Sequence, residues 1–273
     1  MKAVHLHLGM AGGTPPLGLA ARSALSIDGR MQKVSPAPSY RRRSRLPKLV
    51  LLALVLGGVA FAFRQGVVPW FLNPLPAINL ARAPWLADWR LAAIRHDPDL
   101  CRRVMVQPHT DARPIADNPF KNGCGWANAV RMSTAGGVRA GFDRLTCEAA
   151  TALTLWLTHD LQEVAQEILG QRVTAVQSYG TYSCRDIIGA KLWVNRRSEH
   201  ASANAVDIGG FTLGNGRVIS VQGGWRGDGP EARFLRAAHS SACRYFRVAL
   251  SPDYNDAHRD HFHFDRGIGM ICK

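Results

Sequence analysis

The stretch "HRDHFHFDRG", residues 258–267, decides how this chain is read. Three histidines and two aspartates fall within eight positions, interleaved with two phenylalanines. In an extended strand, residues i and i+2 share a face. That period puts His261, His263 and Asp265 on one face and Phe262 and Phe264 on the other. Such a strand packs its aromatics on a core and offers imidazole and carboxylate groups to a site. Three or four metal ligands rarely come from one short segment, so the rest must lie upstream.

The upstream candidate is "SEHASANAVDIGGF", residues 198–211. It reads as a loop running into a strand, with His200 in the loop and Asp207 between apolar Val206 and Ile208. A carboxylate on a strand entering the core must be paired or hold a cation, because burying it alone is costly. His200, Asp207 and one late histidine make a set of two histidines and one carboxylate. That set suits a catalytic zinc, which takes three protein ligands and keeps one position open.

Outward from these segments, helical and extended pieces mix without a regular βαβ alternation. The strongest helix is "LTCEAATALTLWLTHDLQEVAQEILG", with apolar residues at steps of three and four and a stop at Gly170. A second, "PEARFLRAAHSSACRYF", opens on Pro230. A further helix is expected from about Ala83, broken at Pro98. Strands are expected in "RVTAVQSYG", "NAVDIGGFTL", "RVISVQG" and "YFRVALS", and "PIADNPFKNGCGWANAV" reads as turn-rich loop. The fold class is therefore α+β, a mainly antiparallel sheet with flanking helices.

The net charge of +14 is unevenly spread. Residues 1–48 carry nine Lys/Arg and one acid, and account for +8 of it. They end in an RRRSR cluster just before an uncharged run at 49–63. Basic residues placed there set membrane topology. The chain shows no phosphate-cradling loop and no Lys/Arg–aromatic interleaving, so no nucleic-acid partner is expected. Four parts follow: a disordered basic segment 1–48, a transmembrane anchor or signal sequence 49–72, a linker and first helix 73–99, and a folded domain 100–273. As an anchor, the run has Arg64 snorkelling and Trp70 at the interface. As a signal sequence it has an Ala-x-Ala site at 60–62, and Met31 opens a more ordinary leader. Either way the expected location is the inner membrane, with the N-terminus cytoplasmic and the domain periplasmic. All six cysteines follow the apolar run, and none forms a CxxC pair. Three disulfides are expected, in any of fifteen pairings.

The pattern Ser198, His200, Ala205 and Asp207, followed by His261 and His263, resembles zinc peptidases of the D-Ala-D-Ala carboxypeptidase and peptidoglycan endopeptidase type (the LAS-type fold). "TYSCRDI", "SEHASANAVDIGGF", "DHFHFD" and "CGWANAV" are similar, more closely, to extensin-like C-terminal domain proteins, over roughly residues 100–273. The resemblance implies zinc (Zn2+) on His200, Asp207 and His263. It implies His261 beside the metal water, Asp260 as a catalytic carboxylate, His258 as a further active-site histidine and Arg185 at the substrate carbonyl. Strand alternation favours His261 as the general base over Asp260, which would point away unless the strand bends. Ala203 stands where the zinc peptidases carry glycine, which predicts a negative φ there. Ser198 is expected to cap the loop, Glu199 to be solvated, and His96, His109, His159 and His239 to lie off the metal. The implied activity is peptide-bond hydrolysis in peptidoglycan or muropeptides. The alternative is a non-catalytic metal-binding cell-wall domain. The bond cut and the oligomeric state do not follow from these residues.

Overall fold

The computed structural model describes residues 46–73, 75–189 and 195–273, with the Trp70 side chain excepted. The expectations for the basic segment up to residue 45, for the RRRSR cluster and for Met31 lie outside the described residues.

The first helix, α1 (Leu46–Gln65), is exposed along its apolar length. It is the one helix among the described residues long and apolar enough to cross a membrane. Its last turn meets α2 (Ala87–Ala92), where Phe63 lies 6.2 Å from the Trp89 ring. Arg64 does not snorkel outward: its guanidinium lies 3.5 Å from Asp88. Residues 73–99, expected as linker and first helix, pack onto the domain through Ile78, Leu80, Leu91 and Ile94. The helical stretch from about Ala83 is realised as α2 and α3 (Pro98–Met105), the second capped by the Asp97 carboxylate.

Eleven strands follow: β1 (Thr110–Pro114), β2 (Asn118–Lys121), β3 (Cys124–Trp126), β4 (Ala129–Ala135), β5 (Val138–Thr146), β6 (Val173–Gly180), β7 (Ala205–Leu213), β8 (Val218–Ser220), β9 (Val248–Leu250), β10 (Phe262–Asp265) and β11 (Ile271–Cys272). The main sheet runs β1-β4-β5-β6-β7-β10-β9-β11, with β8 also on β7. Its pairs are antiparallel except β5–β6 and β9–β11. The expected turn-rich loop contains the small β2–β3 hairpin. Strands β4 and β5 are joined by Gly136 and Gly137, both at positive φ (62° and 74°). A two-residue turn with both centres left-handed matches the twist of the strands it joins.

Between β5 and β6 the chain makes the long helix expected there. It is α4 (Cys147–Leu155), one π turn (Trp156–Asp160) and α5 (Leu161–Leu169), closed by left-handed Gly170. Every residue of α4 is buried. After a short α6 (Val221–Gly224), α7 (Pro230–Ala242) completes the layer, opening on its proline as expected. The aromatic face of β10 enters this core. Phe262 and Phe264 stack at 5.7 Å, with the Trp156 ring edge-on to Phe264 at 5.3 Å.

A buried ionic cluster ties both ends of the domain together. Glu148 on α4 accepts from Arg266 (2.7 and 2.9 Å) and from Arg95 (2.6 Å). Asp88 on α2 accepts from Arg247 (2.7 Å) and Arg266 (2.8 Å). Arg247 also donates to the carbonyls of Arg64 and Gly267. Burial works to raise the Asp88 pKa, but the two arginines outweigh it and hold the carboxyl below its ordinary value. Three disulfides staple the rest: Cys101–Cys147, Cys124–Cys184 and Cys243–Cys272.

Candidate metal centre

The β10–β7 ladder builds the centre. Its register sets Phe262 opposite Ile208, His263 opposite Asp207 and Phe264 opposite Val206. Pleating sends the aromatic and aliphatic pairs into the core. It leaves His263 and Asp207 together on the other face. His200 arrives from the 3-10 turn Glu199–Ser202 that leads into β7. Ser198 caps that turn as expected, its Oγ accepting from the His200 amide.

Ala203 closes the turn at φ 54°, correcting the expectation of a negative value. The left-handed conformation is held because the Ala203 carbonyl accepts from Thr146 N (2.8 Å) and its amide donates to His200 O (3.1 Å). Alanine bears the ~1 kcal/mol that this region costs a residue with a Cβ.

Three donor atoms converge. His200 Nε2 lies 3.1 Å from His263 Nδ1 and 3.1 Å from Asp207 Oδ1, and His263 Nδ1 lies 3.0 Å from that oxygen. A tetrahedral ion at ~2.0–2.1 Å from its ligands has ligand–ligand edges of about 3.3 Å. The triangle is close to that size, and its nitrogen–nitrogen–oxygen chemistry suits zinc. Behind it, Asp265 Oδ2 lies 3.0 Å from His263 Nε2, while its other oxygen accepts from Gly267 N (2.8 Å). A carboxylate only accepts, so Nε2 donates to Asp265, and a bound ion would take the Nδ1 lone pair. Such an outer carboxylate orients a metal-binding histidine. The residues present therefore fit a zinc-type ion.

The contacts also set the charges of these groups. Burial raises the Asp207 pKa, but hydrogen bonds from His200 and His263 more than reverse it and keep the carboxyl ionised. Burial lowers His263, and hydrogen bonds to Asp207 and Asp265 carry it back up to about 9.

Around the triangle stand the remaining candidates. β10 begins at Phe262, so His261 sits in the bend before the strand rather than on it. Its Nε2 still comes to 3.7 Å from Asp207 Oδ1. Asp260 lies in the same bend, partly exposed, and its carboxylate accepts from His261 Nδ1 at 2.8 Å. That hydrogen bond holds Asp260 below its ordinary pKa. His258 packs 5.4 Å from the His261 ring and 5.6 Å from that of His263. Burial, then repulsion from those two histidines, pushes it down to about 4. Arg185 and His258 both line a mainly apolar cavity of about 350 Å³ that opens beside His263.

Two neighbours escape the sequence reading. Tyr179 on β6 lies 5.8 Å from the His261 ring. It fits there because Gly209 has no Cβ, which would stand 2.3 Å from the tyrosine ring. Glycine two positions after Asp207 is the one hint in the sequence. Glu199, expected to be solvated, is half-buried in the cavity wall and accepts from Asn204 Nδ2 at 2.8 Å. Burial, then Asp265, raises its pKa. His239 lies off the centre as expected, hydrogen-bonded to Ala249 O. The nearby Cys243 and Cys272 are joined in a disulfide and offer no thiolate.

Fold and centre together define a disulfide-stapled α+β domain with two histidines and an aspartate gathered on one buried sheet face. The chain belongs to the family described as "Extensin-like protein C-terminus", whose model matches residues 99–273. No curated protein and no solved structure matches the chain.

Proposed function

We propose that the domain is a zinc-dependent hydrolase of the LAS-type peptidase kind. Its substrate would be peptide bonds of peptidoglycan, in cross-links or stem peptides, outside the cytoplasmic membrane. The convergence of His200 Nε2, Asp207 Oδ1 and His263 Nδ1 within 3.1 Å, with Asp265 behind His263, carries this reading. Zinc, when bound, supplies a Lewis acid and lowers the pKa of a coordinated water toward ~7.

The chain's own residues divide the remaining work. His261 is the general base: Asp260 holds its Nδ1 as a donor, so the Nε2 lone pair faces the cluster. Asp260 is the positioning residue for that imidazole, the same logic by which a carboxylate fixes a catalytic histidine elsewhere. His258, kept neutral by burial, adds no positive charge beside the donor set. Arg185 on the cavity wall would meet the oxygen that gains charge, a charge-assisted contact. The largely apolar remainder of that cavity suits a short-side-chain peptide.

Location supports the substrate class. The apolar α1 and the three disulfides favour a domain anchored in the inner membrane and folded in an oxidising periplasm. The test is metal analysis of the native protein beside His263→Ala, then incubation with muropeptides with and without chelator. Stoichiometric zinc, lost in the variant, and chelator-sensitive cleavage support the reading. A metal-free native protein sinks it. Zinc without cleavage leaves a metal-binding cell-wall domain.

A further inference from the structure

Residues 66–87, "GVVPWFLNPLPAINLARAPWLA", contain no acidic residue and one cation, Arg82. The segment has two apolar faces. Ile78, Leu80 and Ala87 are buried in the domain. Val67, Phe71, Leu72, Trp85 and Leu86 turn outward, with Phe71, Leu72 and Trp85 each more than 60% exposed. Leu86 is held there in a left-handed conformation (φ 52°), against the preference of a side chain its size.

The segment is fixed at the end of α1. A Cβ on Gly66 would collide with the Ala92 carbonyl at 2.0 Å, so the chain leaves the helix pressed against α2. Arg247 holds the Arg64 carbonyl, and Arg64 meets Asp88. The domain therefore does not swing on a flexible tether.

Length gives the second argument. Lys48 and Arg64 bound 15 uncharged residues of α1, about 22 Å of helix at ~1.5 Å per residue. A hydrocarbon core is ~30 Å thick. A short span is accommodated by bilayer thinning or by flanking groups that reach in. Arg64 is turned into the domain and does not reach. The outward apolar side chains of 66–87 follow α1 directly in the chain and can supply the missing length.

We propose that this segment seats the folded domain in the outer leaflet of the membrane that α1 spans. Phe71, Leu72, Trp85 and Leu86 enter the acyl region, and Arg82 takes the lipid phosphates. The partner is the bilayer itself, through an embedded foot of the kind interfacial helices make. The inference rests on α1 being an uncleaved anchor.

The experiment uses the full chain in bacterial inner membranes. The photoreactive residue p-benzoylphenylalanine is placed singly at Phe71, Leu72 or Trp85, and at the comparably exposed Phe120 and Tyr179 as controls. After illumination, intact mass gives lipid adducts and the state of α1 together, and complete disulfide formation checks folding. Adducts at 71, 72 and 85 at least fivefold above the controls are expected. Equal yields at all five positions, or adducts to protein alone, overturn the proposal. A retained α1 without lipid adducts overturns the seat and leaves the anchor standing. A cleaved α1 without adducts overturns both.

Discussion

Asp265→Asn tests the centre with one atom changed. In the native domain, Asp265 Oδ2 accepts from His263 Nε2 at 3.0 Å and Oδ1 accepts from Gly267 N at 2.8 Å. Both contacts are buried. Asparagine keeps the shape and loses one acceptor. If its oxygen stays on Gly267, its NH2 faces Nε2 and forces the imidazole into the tautomer protonated at Nδ1, the atom that joins the donor triangle. If the amide flips, His263 keeps its partner and two donors face each other at Gly267. The first outcome turns a proton toward the donor triangle, and the second leaves a buried donor unsatisfied, at ~1–3 kcal/mol. Outer-shell changes of this kind weaken metal binding by roughly 10–100-fold, or about 1.4–2.7 kcal/mol. Zinc affinity should fall by that factor in competition titrations against a chromophoric chelator, with thermal unfolding reporting that the fold persists. An affinity within twofold of wild type would falsify the assignment of Asp265 as the group that orients His263.

Glu148→Ala should cost ~3–5 kcal/mol in urea unfolding, because it leaves Arg266 buried without its carboxylate; a loss below about 1 kcal/mol contradicts the ionic cluster. Ala203→Gly should lie within about 1 kcal/mol of wild type, since relief of the left-handed penalty is offset by a lost buried methyl and a looser unfolded chain; a larger gain would show that φ is more strained than argued. Asp88 has a folded pKa below its unfolded value, so its stabilisation is complete above the unfolded value of ~3.9 and lost as pH falls through the folded one. Asp88→Asn should therefore be less stable at neutral pH and converge on wild type in acid; parallel stability curves down to low pH would refute this. Thiol titration of unreduced, denatured protein should find no free cysteine, and six would undo the disulfide scheme.

The site was more legible than the fold around it. Alternation in "HFHFD" separates core face from site face, and Asp207 between two aliphatic residues declares its own need for a partner. That basis joins His200 and Asp207 to one of the late histidines, and it is the family resemblance that implies His263. What alternation misses lies where the chain bends. Asp260 and His261 precede β10, so a strand rule does not reach them, and the hydrogen bond between these neighbours is set by the bend. The turn at Ala203 shows the same limit from the other side: local hydrogen bonds override the conformational preference of the residue. Strands β4 and β5 are not among the strands expected from the sequence, although the Gly136–Gly137 pair marks the turn between them. Disulfide pairing, and the packing of residues 73–99 on the core, depend on contacts between segments far apart in the chain, which no local pattern encodes.

The place of β10 bears on how the protein is made. It lies between β7 and β9, in the interior of the sheet, and follows both of them in the chain. A growing chain that has reached β9 holds His200 and Asp207 but not His263, and β7 and β9 stay unbridged until β10 arrives. A stop codon before position 262 removes His263 and leaves the β7 and β9 edges without their shared neighbour. Closure of the sheet and assembly of the donor set are thus one event.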